Sequence, residues 1–174
     1  MRNEPAEALF KTWLQEHGGT VLKVARAYTL TEEDRQDLAQ EILLQAWRSL
    51  PQFEGRAGAH TWFYRVALNT ALGWHRRERR RRERQQPLIG VEDLPMTGAD
   101  SEQQLHQQEI VERLYAAIQQ LPKADAALVL LYLDDLSYRE MADVLGISEN
   151  LVGVKLNRAR KALGELMKEV TYES

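Results

Sequence analysis

Asn150, Gly153, Val154, Asn157, Arg158 and Lys161 recur at helical spacing on one side of a segment. Amide, small and cationic side chains in that order suit the edges of bases and the phosphates beside them. Lys155 and Arg160 add charge for phosphate. A second set is Thr61, Arg65, Asn69 and Arg76, which share one edge of a helix beside Trp62. Arg can bind phosphate, Asn can read a base, and an indole can stack on an unpaired base. The plainer use of Trp62 and Phe63 is as core aromatics. A third set is Asp37, Gln40, Glu41 and Leu44, an acidic patch around one apolar side chain, which fits either a protein-binding surface or a solvated helix face.

These are binding groups. The chain carries no Cys, and its four His (17, 60, 75 and 106) lack ligand spacing, so no metal site or cofactor is expected. No nucleophile constellation or phosphate loop is present, and an enzyme is not expected. No apolar run approaches the ~20 residues of a membrane span, and the N-terminus does not read as a signal peptide. A soluble intracellular protein without membrane insertion is the expectation.

The elements that must position these groups read as helices throughout, because apolar residues recur at helical spacing and strand signals are nearly absent. Helices are expected over 5–28 (one, or two broken near Gly18-Gly19), 33–49, 60–84, 102–120, 123–133, 138–145 and 149–169. On the helix at 33–49, Leu38, Ala39, Ile42, Leu43 and Ala46 share an arc of about 140°, the core face. The helix from His60 is apolar nearly all round, which makes it central to its domain. Residues 85–100, with Pro87, Gly90, Pro95 and Gly98, read as a linker. The fold class is therefore all-α, with two small helical domains on a flexible linker: 1–84, an acidic connector 85–101, and 102–174.

Charge is segmented in the same way. The net charge of −3 hides a run, 76–84, with seven Arg and two Glu. That run is +5 and the remainder is −8. Seven like charges call for a counter-ion, and a nucleic-acid backbone is the best one, against a solvated helix end or a localisation tract. From Gln85 to Glu112 there are six acids and no Lys or Arg, which suggests a basic protein partner.

Residues Tyr138 to Asn157 have the pattern of a helix-turn-helix. Ala142 stands where two helices would cross, and Gly146 where the turn needs a positive φ. Val152 falls on the buried side of the second helix with Leu156, Ala159 and Leu163, and Ser137 and Ser148 suit helix N-caps. Such a motif lays its second helix in the major groove. Gly153, an exposed helix-interior glycine, either permits close approach to DNA or is sequence drift.

Taken together, the halves resemble a sigma-70-type factor of the extracytoplasmic-function (ECF) group. Asp37-Leu38-Ala39-Gln40-Glu41 through Ala46-Trp47-Arg48 is similar to that family's core-polymerase-binding helix. His60-Thr61-Trp62-Phe63-Tyr64-Arg65-Val66-Ala67-Leu68-Asn69 is similar to its promoter-melting helix. Leu121-Pro122, Leu136-Ser137-Tyr138, Leu145-Gly146-Ile147-Ser148 and Leu156-Asn157-Arg158-Ala159-Arg160-Lys161 are similar to its minus-thirty-five-reading domain.

The resemblance implies that Asp37, Gln40, Glu41 and Leu44 bind the clamp helices of the polymerase β′ subunit. It assigns minus-ten DNA to Phe53, Arg56, His60, Thr61, Trp62, Arg65, Asn69, Arg76 and Arg77, with loop 52–59 forming a pocket for a flipped base. It assigns minus-thirty-five DNA to Arg139, Ser148, Asn150, Gly153, Val154, Lys155, Asn157, Arg158 and Lys161. The last domain would also sit on the β flap, and the acidic linker would thread the RNA path. The implied partners are core RNA polymerase, promoter DNA and an anti-sigma factor; the implied place is the cytoplasm, or the inner membrane face when so held. The family's Lys-Ser-Arg-like triplet is Gly153-Val154-Lys155 here, which withholds a promoter sequence. No built-in regulatory domain is expected at the C-terminus. The residues alone also admit an autonomous helix-turn-helix regulator, or a helical adaptor that binds only protein.

Overall fold

The computed structural model describes residues 4–84 and 102–172, and among them every regular element is helical. In chain order these are α1 (Glu4–Tyr28), α2 (Glu32–Ser49), α3 (Ala59–Arg84), α4 (Glu102–Gln120), α5 (Lys123–Leu133), α6 (Tyr138–Leu145) and α7 (Glu149–Tyr172). A 3-10 turn, Leu50–Gln52, takes Pro51 directly after α2. The expected linker falls outside the described residues.

α1 decides between one helix and two: it runs unbroken through Gly18 and Gly19. Each glycine costs a helix up to ~1 kcal/mol against alanine. Burial of Val21, Val24 and Tyr28 on the turns that follow is worth roughly 1.5–3 kcal/mol for a single large apolar side chain, so packing outweighs propensity. α7 also runs three residues past the expected end. Thr31 caps α2, its hydroxyl accepting from the Asp34 amide at 3.1 Å, and Glu32, Glu33 and Asp34 in the first turn complement the helix dipole.

The first three helices form a bundle with α3 against both others. Its centre is Val24, Leu38, Ile42, Ala46, Phe63, Tyr64, Ala67 and Ala71, all fully buried. Leu38, Ile42 and Ala46 are thus the inward stripe of α2, as the periodicity requires. In the C-terminal half α5 is the central element: Ala126 through Leu131 are buried without interruption, with α7 and the shorter α6 packed around it.

The two halves meet along a seam, α1 against α4 and α5, and α3 against α5 and α6. Polar groups tie it. The Gln119 side-chain amide donates to the Arg26 and Thr29 carbonyls at 2.9 Å each, satisfying the end of α1 from the other half of the chain. The Tyr28 hydroxyl donates to the Lys123 carbonyl at 2.7 Å. The rings of Tyr28 and Tyr115 lie under Lys123 and Arg26 as cation–π partners.

Candidate nucleic-acid interface

The helix-turn-helix is built by local chemistry. The Ser137 hydroxyl accepts from the Glu140 amide, and the Glu140 carboxylate accepts from the Ser137 amide, a complete capping box. Gly146 ends α6 at φ 67°, and its amide donates to the Ala142 carbonyl at 2.8 Å. The Ser148 hydroxyl accepts from the Leu151 amide at 3.2 Å and starts α7. Ala142 is buried at the crossing, and Val152, Leu156 and Ala159 seat α7 on the core. With those residues inward, Asn150, Val154, Lys155, Asn157, Arg158 and Lys161 stand exposed on α7, with Ser148 and Arg139 exposed beside them.

Gly153 is half-buried, and a Cβ there would meet the Tyr138 ring at 3.4 Å. That is an ordinary van der Waals contact with an exposed ring, so the packing of α6 does not itself require glycine here. Arg160 lies with its guanidinium over the Tyr132 ring, 4.5 Å from the centroid, so its charge is engaged at home.

The α3 edge is less open. Arg65, Asn69, Arg76 and Arg77 are exposed, but Thr61 is buried, which corrects its place on a free polar edge. α3 packs on α1, α2, α5 and α6 together, and that narrows what a single domain would display. The Arg65 guanidinium donates to the Asp143 carbonyl of α6 at 2.6 Å. Arg77 donates to Glu41, joining a residue expected to hold DNA to one expected to hold protein. Trp62 is half-buried in an aromatic group, with ring centroids 5.4 Å from Trp13, 5.6 Å from Phe53 and 5.3 Å from Phe63. Both uses of Trp62 are therefore compatible: its body packs and an edge remains accessible.

Loop 53–58 does form a concavity. A pocket of about 480 Å³ is lined by Phe53, Gly55, Arg56, Trp62, Arg65 and, from α6, Asp143, among others. Gly55 supplies its bend at φ 74°. Arg56 is paired with Glu54 at 2.9 Å. On α2, Asp37, Gln40 and Leu44 are exposed and Glu41 is half-buried, so the four share an accessible face opposite the core stripe.

Electrostatics single out a residue that the sequence reading did not. Asp134 lies in the turn between α5 and α6, its side chain 22% exposed. It receives Lys23 Nζ at 2.8 Å and the Tyr64 hydroxyl at 2.6 Å, and His60 Nε2 lies at 3.1 Å. A carboxylate only accepts, so Nε2 must carry the proton. Burial would raise the Asp134 pKa, but the bonds from Lys23, Tyr64 and His60 outweigh it and hold the carboxyl below its ordinary value. Burial, with Asp134 added, pushes the Tyr64 phenol up and keeps it a donor. His17 stacks on His60 at 5.3 Å; burial, then the neighbouring imidazole, lowers its pKa. Among the described residues no group of three or more His, Asp or Glu is placed to hold a metal ion. No described helix is long and apolar enough to cross a membrane.

Two family descriptions match successive stretches of the chain. The family description "Sigma-70 region 2" matches residues 10–81, and "Sigma-70, region 4" matches residues 111–163. RNA polymerase sigma factor YlaC of Bacillus subtilis is 31% identical over 163 residues, covering 92% of this chain and 91% of its own. The chain belongs to the sigma-70 family. RNA polymerase sigma-H factor of Pseudomonas aeruginosa is 31% identical over 82% of this sigma factor and 77% of itself. The ECF RNA polymerase sigma-E factor of Escherichia coli is 31% identical over 75% and 72%. This sigma factor groups with the ECF class. The fold matches RpoE of Bartonella quintana, solved with the anti-sigma factor NepR, at TM-score 0.72, 20% identity, and 91% and 96% coverage. It matches CnrH, solved with the cytosolic domain of CnrY, at TM-score 0.63, 21% identity, and 94% and 90% coverage. In this sigma factor the α3 edge, loop pocket and α2 patch all lie within region 2, and the helix-turn-helix within region 4.

Proposed function

We propose that this ECF sigma factor binds core RNA polymerase through Asp37, Gln40, Glu41 and Leu44 and directs it to a promoter subset. The minus-thirty-five element is read by the exposed face of α7, and the minus-ten element by Arg65, Asn69 and the loop pocket around Trp62. The observation that carries the reading is the pairing of a fully capped helix-turn-helix with a second, aromatic-backed basic edge in the same chain. A regulator that read one groove would need only the first.

The protein acts by binding. Each contact set is small, so affinity comes from joining two weak contacts on one tether, with polymerase fixing their spacing. The domains are proposed as 1–84 and 102–174, with 85–101 as the tether. NepR, solved with a relative of the same fold, supports control by an anti-sigma factor here, in the cytoplasm or at the inner membrane face.

Run-off transcription with purified core enzyme tests the reading. Adding this chain should yield discrete transcripts from a genomic template that core alone does not make. No promoter-specific transcript on any template, together with tight binding of a palindrome by the protein alone, would favour an autonomous regulator instead.

A further inference from the structure

Asp134 joins three elements that otherwise belong to different halves of the molecule. Its own turn leads into α6, the first helix of the helix-turn-helix. Lys23 comes from α1, and His60 and Tyr64 come from α3. One carboxylate thus takes a bond from each of three side chains across the seam, two of them on one oxygen. Tyr64 is fully buried, and the adjacent Asp135 holds φ at 58°, a left-handed conformation that few residues but Asn, Asp and Gly adopt readily. The turn is bent to aim Asp134 into the seam.

The same docking places α6 over the minus-ten edge. Asp143 both accepts from Arg65 and walls the pocket formed by Phe53, Arg56 and Trp62. A nucleic-acid strand that took Arg65 there would have to displace the Asp143 carbonyl, and with it that hold of α6. Geometry demands the same of the whole molecule. Elements ~25 base pairs apart on a duplex that rises 3.4 Å per pair are separated by roughly 80 Å. Regions 2 and 4 in direct contact do not span that distance.

We propose that Asp134, through Lys23, His60 and Tyr64, is the keystone of a latch that holds the unbound sigma factor closed with α6 over Arg65. Promoter engagement requires the latch to release. The masking of Arg65 as a DNA contact rests on the function proposed above; the latch itself is a property of the free protein.

The chain has no cysteine, so Gln45→Cys on α2 and Glu165→Cys on α7, both exposed, give a spin-labelled pair without background. Pulsed dipolar spectroscopy on the full chain, without polymerase or DNA, should show one short, narrow distance population. Asp134→Ala should shift the open-to-closed ratio about tenfold towards a broad, longer population, as loss of charge-assisted bonds implies. Lys23→Glu, at a half-exposed position, should do the same by placing two acids together, and it decides the matter if Asp134→Ala loses helicity by circular dichroism. A broad distribution in the unsubstituted chain would overturn the latch. So would distances unchanged by both substitutions in folded protein. Neither result depends on transcription, so the latch can fail while the sigma-factor reading stands, and the converse.

Discussion

α7 and α3 both carry cationic and amide side chains, yet the fold treats them in opposite ways. α7 is seated by Val152, Leu156 and Ala159 on one side and leaves Asn150, Val154, Lys155, Asn157 and Arg158 exposed on the other. α3 is the central helix of its bundle and also half of the seam. Its Thr61 is buried, its Arg65 is bonded to α6, and its His60 is drawn to Asp134. One proposed reading surface is displayed, and the other is partly covered by the first helix of the displaying domain. A helix that serves as core on most of its circumference has little surface left, and docking of a second domain consumes part of it.

The largest effect expected on this contrast is structural. Phe63 is fully buried in α3 and contacts Trp13, Trp62 and His17. Phe63→Ala should cost about 3–5 kcal/mol. If the seam couples the halves, thermal unfolding followed at α7 should shift together with unfolding of the bundle. Two separate transitions, with α7 unaffected, would break the coupling. Next are the contacts themselves. Asn150→Ala or Asn157→Ala should lose about 1–3 kcal/mol of discrimination at one base pair if the residue reads a base edge, measured by competition among minus-thirty-five variants. Arg158→Ala should weaken binding evenly across sequences and lower the salt slope by about 1.

Gly153→Ala sharpens the role of α7. A Cβ there meets only the edge of the Tyr138 ring, and Tyr138 is exposed and able to yield. Alanine should therefore stabilise the domain by up to about 1 kcal/mol in denaturant unfolding. Loss of minus-thirty-five binding without loss of stability would show that the glycine serves DNA approach instead.

The smallest expected effect is on pH. His17 has a lowered pKa in the folded chain, so the unfolded chain binds its proton more readily. Its contribution to stability is complete above the ordinary value of 6.5 and declines as pH falls through the lowered one. His17→Gln should flatten the stability profile of the bundle just below pH 6.5, seen as a smaller fall in melting temperature.

Much of this was legible in the order of residues. The caps at Ser137 and Ser148, the glycine at 146 and the inward stripe of α7 follow from contacts within one or two turns, which sequence encodes directly. The inward stripe of α2 is likewise periodic. The continuity of α1 was not legible, because only the packing of Val21, Val24 and Tyr28 overrides two adjacent glycines. Asp134 was invisible for a stronger reason. Its partners lie 70 to 111 residues away in the chain, and nothing in the spacing of an acid in a short turn announces them. Gln119, which closes α1 from α4, is hidden in the same way.

The proposed division of labour between α7 and α3 is tested most directly by footprinting a promoter, located by run-off mapping, in complex with core enzyme. Alanine at Lys155 and Arg158 should remove protection around the minus-thirty-five element. Alanine at Arg65 and Asn69 should leave that protection in place and abolish permanganate reactivity of unpaired thymines near the minus-ten element. Loss of both signals by either pair alone, in folded protein that still binds core enzyme, would contradict the assignment of one promoter element to each helix.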